Sequence, residues 1–501
     1  MEFTRAFSLI FSGQGRRLQS FALVSRTSTV WSEAAKKGHG LPQNSDREFS
    51  TRRVDSVLAV ALIASLSSAA ATFTRTRRSR VFDPLRELPA VPPVLPLIVD
   101  VDNIEATLET LDANSHYRNI LCIVTRDGNP LAKVRIDLND DELLTPDLVK
   151  SRLLVALPPM NETTTKIARG RPLEKAADLP ATVVVATRNR PEQLLECLAS
   201  ILGGTAPVER LIVVDNAPSD NRTAELMAIR MKQDTRLLYV REDRPGLAHA
   251  HNAALPHVTT EIVAFTDDDV LVERQWLEKL GRTFAEDEQA VCVTGLILPR
   301  ELETLPQQWV EGNATYDKGL ERRVFDGQSA SEEHPLLPYA SGACGSGANM
   351  AFRTSYLLDA GGFESALGTG TVAMGGDDLA AFYDVVAAGR RLVYEPAAMV
   401  LHPHHREYAA LRRQVYGYGA GLGAHLMRCV LLDPKMLFFF LRNAVTLRSR
   451  ATRILHPFVD GLPPYPKDLL REHRRGLLAG PWRYLRSRHH VKHLKVMERT
   501  Q

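Results

Sequence analysis

The chain has 501 residues, too many for one ordinary hydrophobic core and enough for a large domain with accessories. With 44% hydrophobic and 24% charged residues, 31 Gly and 29 Pro, it reads as globular, which excludes a collagen-like chain, a globally disordered one and a polytopic membrane protein. The net charge of +3 is unevenly spread: residues 1–90 carry 14 Lys and Arg against 7 Asp and Glu, residues 441–501 carry 14 against 4, and the body between them is left at −14. An acidic body is a poor nucleic-acid platform, because phosphate neutralisation needs clustered cations. The basic ends suit peripheral contact with an anionic membrane such as the inner leaflet, with solvated ends as the competing reading. Five cysteines (Cys122, Cys197, Cys292, Cys344 and Cys429) without a C-x-x-C spacing argue against a disulfide framework and for a reducing, cytoplasmic setting.

In chain order, residues 1–90 form an extension rich in Ser and Arg, expected to be largely disordered and similar in composition to a transit peptide. Within it, Val57 to Phe73 is a 17-residue apolar segment diluted by serine, at the lower limit for a membrane span and flanked by arginine on both sides. A Pro-rich linker (Leu88 to Pro96) leads into a small α/β or β-rich accessory module ending near Leu157. Its strands are expected at Leu97 to Val101, Ile120 to Val124 and Ala132 to Ile136, with Asp127-Gly128-Asn129-Pro130 as turn chemistry. Residues 158–179 form a second linker.

From Ala181 the pattern changes to repeated strand-then-helix units. Continuous apolar runs at Ala181 to Ala186, Leu211 to Val214, Leu237 to Val240 and Ile262 to Thr266 are of the kind buried on both faces of a parallel sheet, and each is separated from the next by a helical segment. The fold class expected for residues 180–430 is α/β, a doubly wound, mostly parallel sheet with flanking helices and ligands beyond the carboxyl ends of its strands. Residues 431–501 are expected to form a basic helical tail, with Met436 to Phe440 suited to the headgroup level.

The strand ends are polar: Thr187-Arg188-Asn189-Arg190, Asp215-Asn216 and Asp267-Asp268-Asp269. Neither a dinucleotide fingerprint nor a P-loop follows the first strand, so phosphate must be met differently. Three acids at one strand end repel one another, and a divalent cation (Mg²⁺ or Mn²⁺) bridging to a diphosphate removes that cost. His402, after another expected strand, could complete the shell, and His404, His405 and Arg406 could meet the diphosphate; the alternative is a basic turn between that strand and the helix from Tyr408 to Ala424. Asp378 opens a helix behind a loop, Gly368 to Gly376, with four glycines, and is either a helix cap or a base. Trp309 and Tyr316 lie in the insertion after the acids and suit either sugar stacking or packing.

These motifs, with R-P-G-L-A-H-A-H-N (Arg244 to Asn252), G-S-G-A-N-M-A-F-R (Gly345 to Arg353), G-G-F-E, G-G-D-D-L (Gly375 to Leu379) and Y-E-P-A, resemble family 2 glycosyltransferases of the GT-A fold over residues 181–425. The resemblance implies an inverting enzyme using a nucleoside-diphosphate sugar, a divalent metal and a hydroxyl acceptor, glycan or lipid-linked. It implies donor contacts from Thr187, Arg188, Asn189, Asp215, Asp267 and Asp268, metal ligation by Asp269, Asp267 and His402, and base catalysis by Asp378. Asp377, Gly376, Asn349 and Trp309 fall on the acceptor or loop side. Asp377 departs from the family's common Glu. A single-addition enzyme is expected, since the membrane helices and Q-x-x-R-W motif of processive synthases are absent. A sugar nucleotidyltransferase and a non-catalytic glycan-binding relative are the alternatives.

Overall fold

The computed structural model describes residues 91–109, 117, 119–139, 142, 145–157, 179–313, 316–326, 336–436 and 462–498. The expected extension before residue 91, with its apolar segment 57–73, nearly all of the 158–179 linker and the aromatic residues after Met436 lie outside the described residues.

A three-stranded sheet comes first. β1 (Val94–Asp100) is followed by the short α1 (Ile104–Leu108) and pairs in parallel with β2 (Asn119–Arg126), which turns back into β3 (Asn129–Asp137). The turn is Asp127-Gly128, both at positive φ (51° and 71°), the two-residue geometry that matches strand twist. α2 (Pro146–Ala156), with Thr145 accepting the Leu148 N–H at its start, closes a separate core with Val149 and Leu153 against Ile120, Cys122 and Val124.

The second sheet is doubly wound. β4 (Ala181–Thr187), α3 (Pro191–Leu202), β5 (Arg210–Asn216), α4 (Arg222–Gln233), β6 (Leu237–Glu242), α5 (Leu247–Ala254) and β7 (Ile262–Asp267) give four parallel strands. Alternation along β4 explains why both faces are covered: Val183 and Val185 pack with α3 on one side, and Val184 packs with α5 on the other. The chain continues through the two-residue β8 (Leu271–Val272), α6 (Trp276–Glu286), β9 (Ala290–Pro299), α7 (Leu305–Gly312), β10 (Arg323–Phe325), β11 (Asn349–Arg353), α8 (Thr354–Asp359), α9 (Asp377–Ala387) and β12 (Arg391–His402). The strand order is β10-β12-β9-β11-β7-β4-β5-β6; β9 and β12 run with the first four, while β10 and β11 run against them. The carboxyl ends of β4, β5, β7, β9 and β12 therefore share one edge, and the doubly wound, mostly parallel α/β class expected from the sequence is the one observed.

Two helices finish the described chain, α10 (Tyr408–Leu432) and α11 (Lys467–Glu498). α11 does not stand apart as a tail. Its Gly476 and Gly480 meet Gly419 and Gly423 of α10 with no room for a side chain: a Cβ on Gly480 would lie 2.5 Å from the Ala420 carbonyl oxygen, and one on Gly423 2.3 Å from that of Leu477. Replacing Gly by Ala in an exposed helix stabilises by about 1 kcal/mol. Here Gly480→Ala is expected instead to destabilise by about 1–3 kcal/mol through overpacking, read from the midpoint of urea unfolding.

Candidate active site

The edge collects acids. Asp267 closes β7, and two residues after Asp269 the chain pairs β8 with β12, Leu271 against Leu401 and Val272 against Val400. This antiparallel pairing carries Asp269 to the end of β12, where His402 stands. Oxygen and nitrogen atoms of Asp267, Asp269 and His402 lie within 4.8 Å of one another. His402 is buried, its Nδ1 has no hydrogen-bond partner, and burial pulls its pKa down to about 4, against the pull of Asp269. A neutral imidazole beside two carboxylates is a donor set that fits a divalent cation.

Asp268 points elsewhere. It is buried, accepts the Thr187 hydroxyl at 2.7 Å and is approached by Arg190 at 3.2 Å; the same guanidinium lies 3.1 Å from Asp269. Burial raises its pKa and these partners oppose the rise. Asp267 is pushed well above the carboxylate range by burial, then by Asp269, Asp268, Asp377 and Asp378. Its sensitivity to the last two places the start of α9 beside the cluster.

α9 begins after Gly376, whose φ of 88° and closeness to α10 (a Cβ would lie 2.6 Å from the Gly421 carbonyl oxygen) admit glycine alone. Asp378 accepts the N–H of Gly347 at 3.0 Å and of Leu379 at 2.8 Å; burial raises its pKa and these donors oppose it. Asp377 is buried, and desolvation followed by the charge of Asp378 moves its pKa to about 7. On the other flank, Asp215 is fully buried, accepts the Tyr239 hydroxyl at 3.0 Å and keeps a buried Oδ1 with no partner. Asn189, at φ 57°, accepts the Ser219 N–H at 3.0 Å and so ties the first two strand-end loops together. Asn216 accepts Gly246 N–H at 2.9 Å, and Leu247 N–H reaches the Thr369 carbonyl at 2.9 Å, which fixes the R-P-G turn against the glycine-rich loop.

Residues 182–354 match the sequence model described as "Glycosyl transferase family 2". Those residues, about a third of the chain, are similar to family 2 glycosyltransferases. Similar proteins include the pre-mycofactocin glycosyltransferase of Mycobacterium tuberculosis, 28% identical over 257 residues that cover 51% of this chain and 49% of that protein. The glucosyl-dolichyl phosphate glucuronosyltransferase of Haloferax volcanii is 26% identical over 198 residues, 38% of this chain and 58% of that one. The chain thus aligns with about half the length of the first. Among solved structures, a mannosyltransferase from Pyrobaculum calidifontis in complex with GDP-Man and Mn²⁺ has a TM-score of 0.40 at 19% identity, covering 60% of this chain and 87% of that one.

Several expected site residues have other duties. Trp309 is 1% exposed, donates its indole N–H to the Pro463 carbonyl and packs on Tyr408 and Tyr465, so it belongs to the core beneath α11 and offers no stacking face. Asn349 is fully buried; it accepts the Trp276 indole and donates to the carbonyls of Leu296 and Ala398, which fixes the start of β11 and leaves nothing for a ligand. Thr187 and Asp268 satisfy each other, and Arg188 is exposed, while Arg190 reaches the acids. Arg406 is engaged by Glu301 and Glu303, and His404 stacks on Tyr316 with ring centroids 5.3 Å apart. The pattern of the sequence did not single out Tyr418, whose hydroxyl meets that of Tyr316; the charges of Asp267 and Asp378 bear on both phenols. In the sequence it is only an aromatic between Gly417 and Gly419.

The raised carboxyls carry a stability consequence. A group that binds its proton more tightly when folded favours the fold as pH falls between its folded and unfolded values. In EDTA, the unaltered domain is therefore expected to gain thermal stability relative to Asp377→Asn on acidification from about pH 8 to about pH 6; the buried histidines His251, His402 and His425, with lowered pKa values, contribute the opposite slope equally to both proteins.

Proposed function

We propose that the protein is an inverting glycosyltransferase that moves a sugar from a nucleoside-diphosphate sugar to an acceptor hydroxyl, one residue per reaction. The observation that carries this reading is the meeting, at one sheet edge, of the Asp267–Asp269–His402 group with Asp378, a carboxylate held by two backbone N–H donors at a helix start. A carboxylate so desolvated is a stronger base than one in water.

Asp267, Asp269 and His402 would hold a divalent cation, which as a Lewis acid supplies positive charge to the departing diphosphate. Asp378 accepts the proton of the acceptor hydroxyl; that oxygen bonds to the anomeric carbon as the bond from this carbon to the diphosphate oxygen breaks, and the nucleoside diphosphate leaves with the electron pair. Attack opposite the leaving group inverts the centre. Asp215, with its open Oδ1, and Asn189 would face the nucleoside. Arg190 holds Asp268 and Asp269 in place rather than touching substrate. The glycines at 368, 370, 375 and 376 let the loop close over the reactants. The family match favours transfer to an acceptor over nucleotidyl transfer. One relative is named for a dolichyl phosphate-linked sugar, and a lipid-linked acceptor is proposed here on that ground.

Asp378→Asn keeps size and capping ability but accepts no proton. Donor affinity by calorimetry is expected to stay near normal while turnover falls at least ~10²-fold; loss of both together would move Asp378 into the donor site. The nitrogen ligand favours Mn²⁺ over Mg²⁺, which prefers an all-oxygen octahedron. His402→Ala is therefore expected to narrow the difference between the two ions in titrations followed by Mn²⁺ electron paramagnetic resonance, and Asp269→Asn to abolish tight binding of either. Binding of nucleoside diphosphate that survives EDTA unchanged would reject the metal-bridged reading.

A further inference from the structure

α11 is amphipathic in an unusual sense. The side facing α10 holds Leu469, Glu472, Gly476, Gly480, Tyr484 and Ser487, all buried. At 100° per residue, Arg471, Arg474, Arg475, Leu478, Trp482 and Arg486 fall within a sector of about 120° on the opposite side. Leu478 is 46% exposed and Trp482 63%. An aromatic this open, with a leucine one turn before it and arginine on either side, is not explained by packing: α11 already makes its helix contact through glycine.

Apart from Arg475, which Glu472 reaches, the cations on this side have no acidic partner among the described residues. Both acids of α11 with described side chains are turned toward α10, Asp468 accepting the Tyr408 hydroxyl at 2.7 Å and Glu472 pairing with Arg412 and with Arg475. Among the described residues no carboxylate reaches Arg471, Arg474 or Arg486. We propose that this face of α11 lies on an anionic lipid surface, with Trp482 and Leu478 at the headgroup boundary and the arginines on lipid phosphates. Apolar residues at the centre of a cationic helix face are what an interfacial helix presents, and each cation adds attraction to an anionic leaflet. A second copy of the chain is a poorer occupant, since the same face would meet like charge. No helix among the described residues is long and apolar enough to cross a membrane, so attachment of this kind is peripheral. The face adjoins the site: Arg483, next to Trp482, donates to the Val372 carbonyl of the glycine-rich loop at 2.9 Å.

The test uses the full-length protein and vesicles of phosphatidylcholine with or without phosphatidylglycerol, the acyl chains brominated to quench tryptophan. Quenching is expected with the anionic vesicles, is expected to persist in Trp31→Phe and to vanish in Trp482→Phe, and should fall with added salt. The double variant Arg474→Glu, Arg486→Glu should bind at least ~10-fold more weakly; both residues are exposed, and an unchanged unfolding midpoint separates lost binding from lost fold. Equal quenching by pure phosphatidylcholine would overturn the proposal, as would vesicle binding that leaves Trp482 unquenched. A salt-sensitive shift of duplex DNA without vesicle quenching would give the face to nucleic acid, and a vesicle-free dimer lost in Trp482→Ala would give it to a second copy.

Discussion

The mutual repulsion of five carboxylates gathered at one sheet edge sets the terms for everything around them. At Asp267, Asp268 and Asp377 burial and neighbouring carboxylates both disfavour ionisation, and at Asp378 burial does. The fold answers each differently. Asp268 is neutralised by Arg190 and the Thr187 hydroxyl. Asp378 is met by two backbone donors at a helix start, where the peptide dipoles favour negative charge. Asp269 shares the Arg190 guanidinium at 3.1 Å, but Asp267 has only the carboxyl of Asp269 and a neutral imidazole beside it, and that is the position a divalent cation would relieve. An edge of this kind is a standing cost to the fold, which is the physical reason to read it as functional rather than as a solvated turn.

Parallel topology makes the gathering possible, but it does not by itself bring distant strands together. β7 and β12 are separated by β11 and β9 in the sheet, and His402 would be remote from Asp267 if only strand order mattered. The two-residue β8 crosses that distance by pairing with the last residues of β12. The apolar Leu271 and Val272 after the acids therefore have a second role beyond filling the core: their register with Leu401 and Val400 decides which residue faces Asp269.

What could be read from the sequence follows from this. β-branched runs ending in acids are local patterns, and they disclosed four strands, the doubly wound sheet and the candidate acids together, because a parallel strand buried on both faces has few other appearances. The roles of Trp309 and Asn349 were not legible, since an aromatic or amide in an insertion looks the same whether it faces a sugar or a carbonyl of its own core; only Pro463, 154 residues away, identifies Trp309 as a packing residue. Arg190 was hidden beside Arg188 because the choice between them depends on the turn at Asn189, whose positive φ swings the next residue toward the acids. The aromatic pair Tyr316 and Tyr418 joins an insertion to a helix 102 residues on, a contact no local pattern encodes.

α10 shows how far the site extends into the rest of the chain. Gly417, Gly419, Gly421 and Gly423 sit at every second position, so successive members project to nearly opposite sides of the helix. Gly421 faces Gly375 and Gly376, where a Cβ would lie 2.9 Å from the Gly375 carbonyl carbon; Gly419 and Gly423 face α11. A helix with four glycines is weak by propensity, and each would destabilise it by about 1 kcal/mol relative to alanine if it stood alone. Its order must come from being clamped on both sides. The same clamping connects α11 to the glycine-rich loop: backbone on backbone from α11 to α10, and again from α10 to the residue that starts the helix of Asp377 and Asp378. At these glycines backbone meets backbone, and no side chain stands between the layers to take up a shift of α11 there. Residues 467–498, which by charge alone looked like an appendage, in this sense back the helix that supports the candidate site.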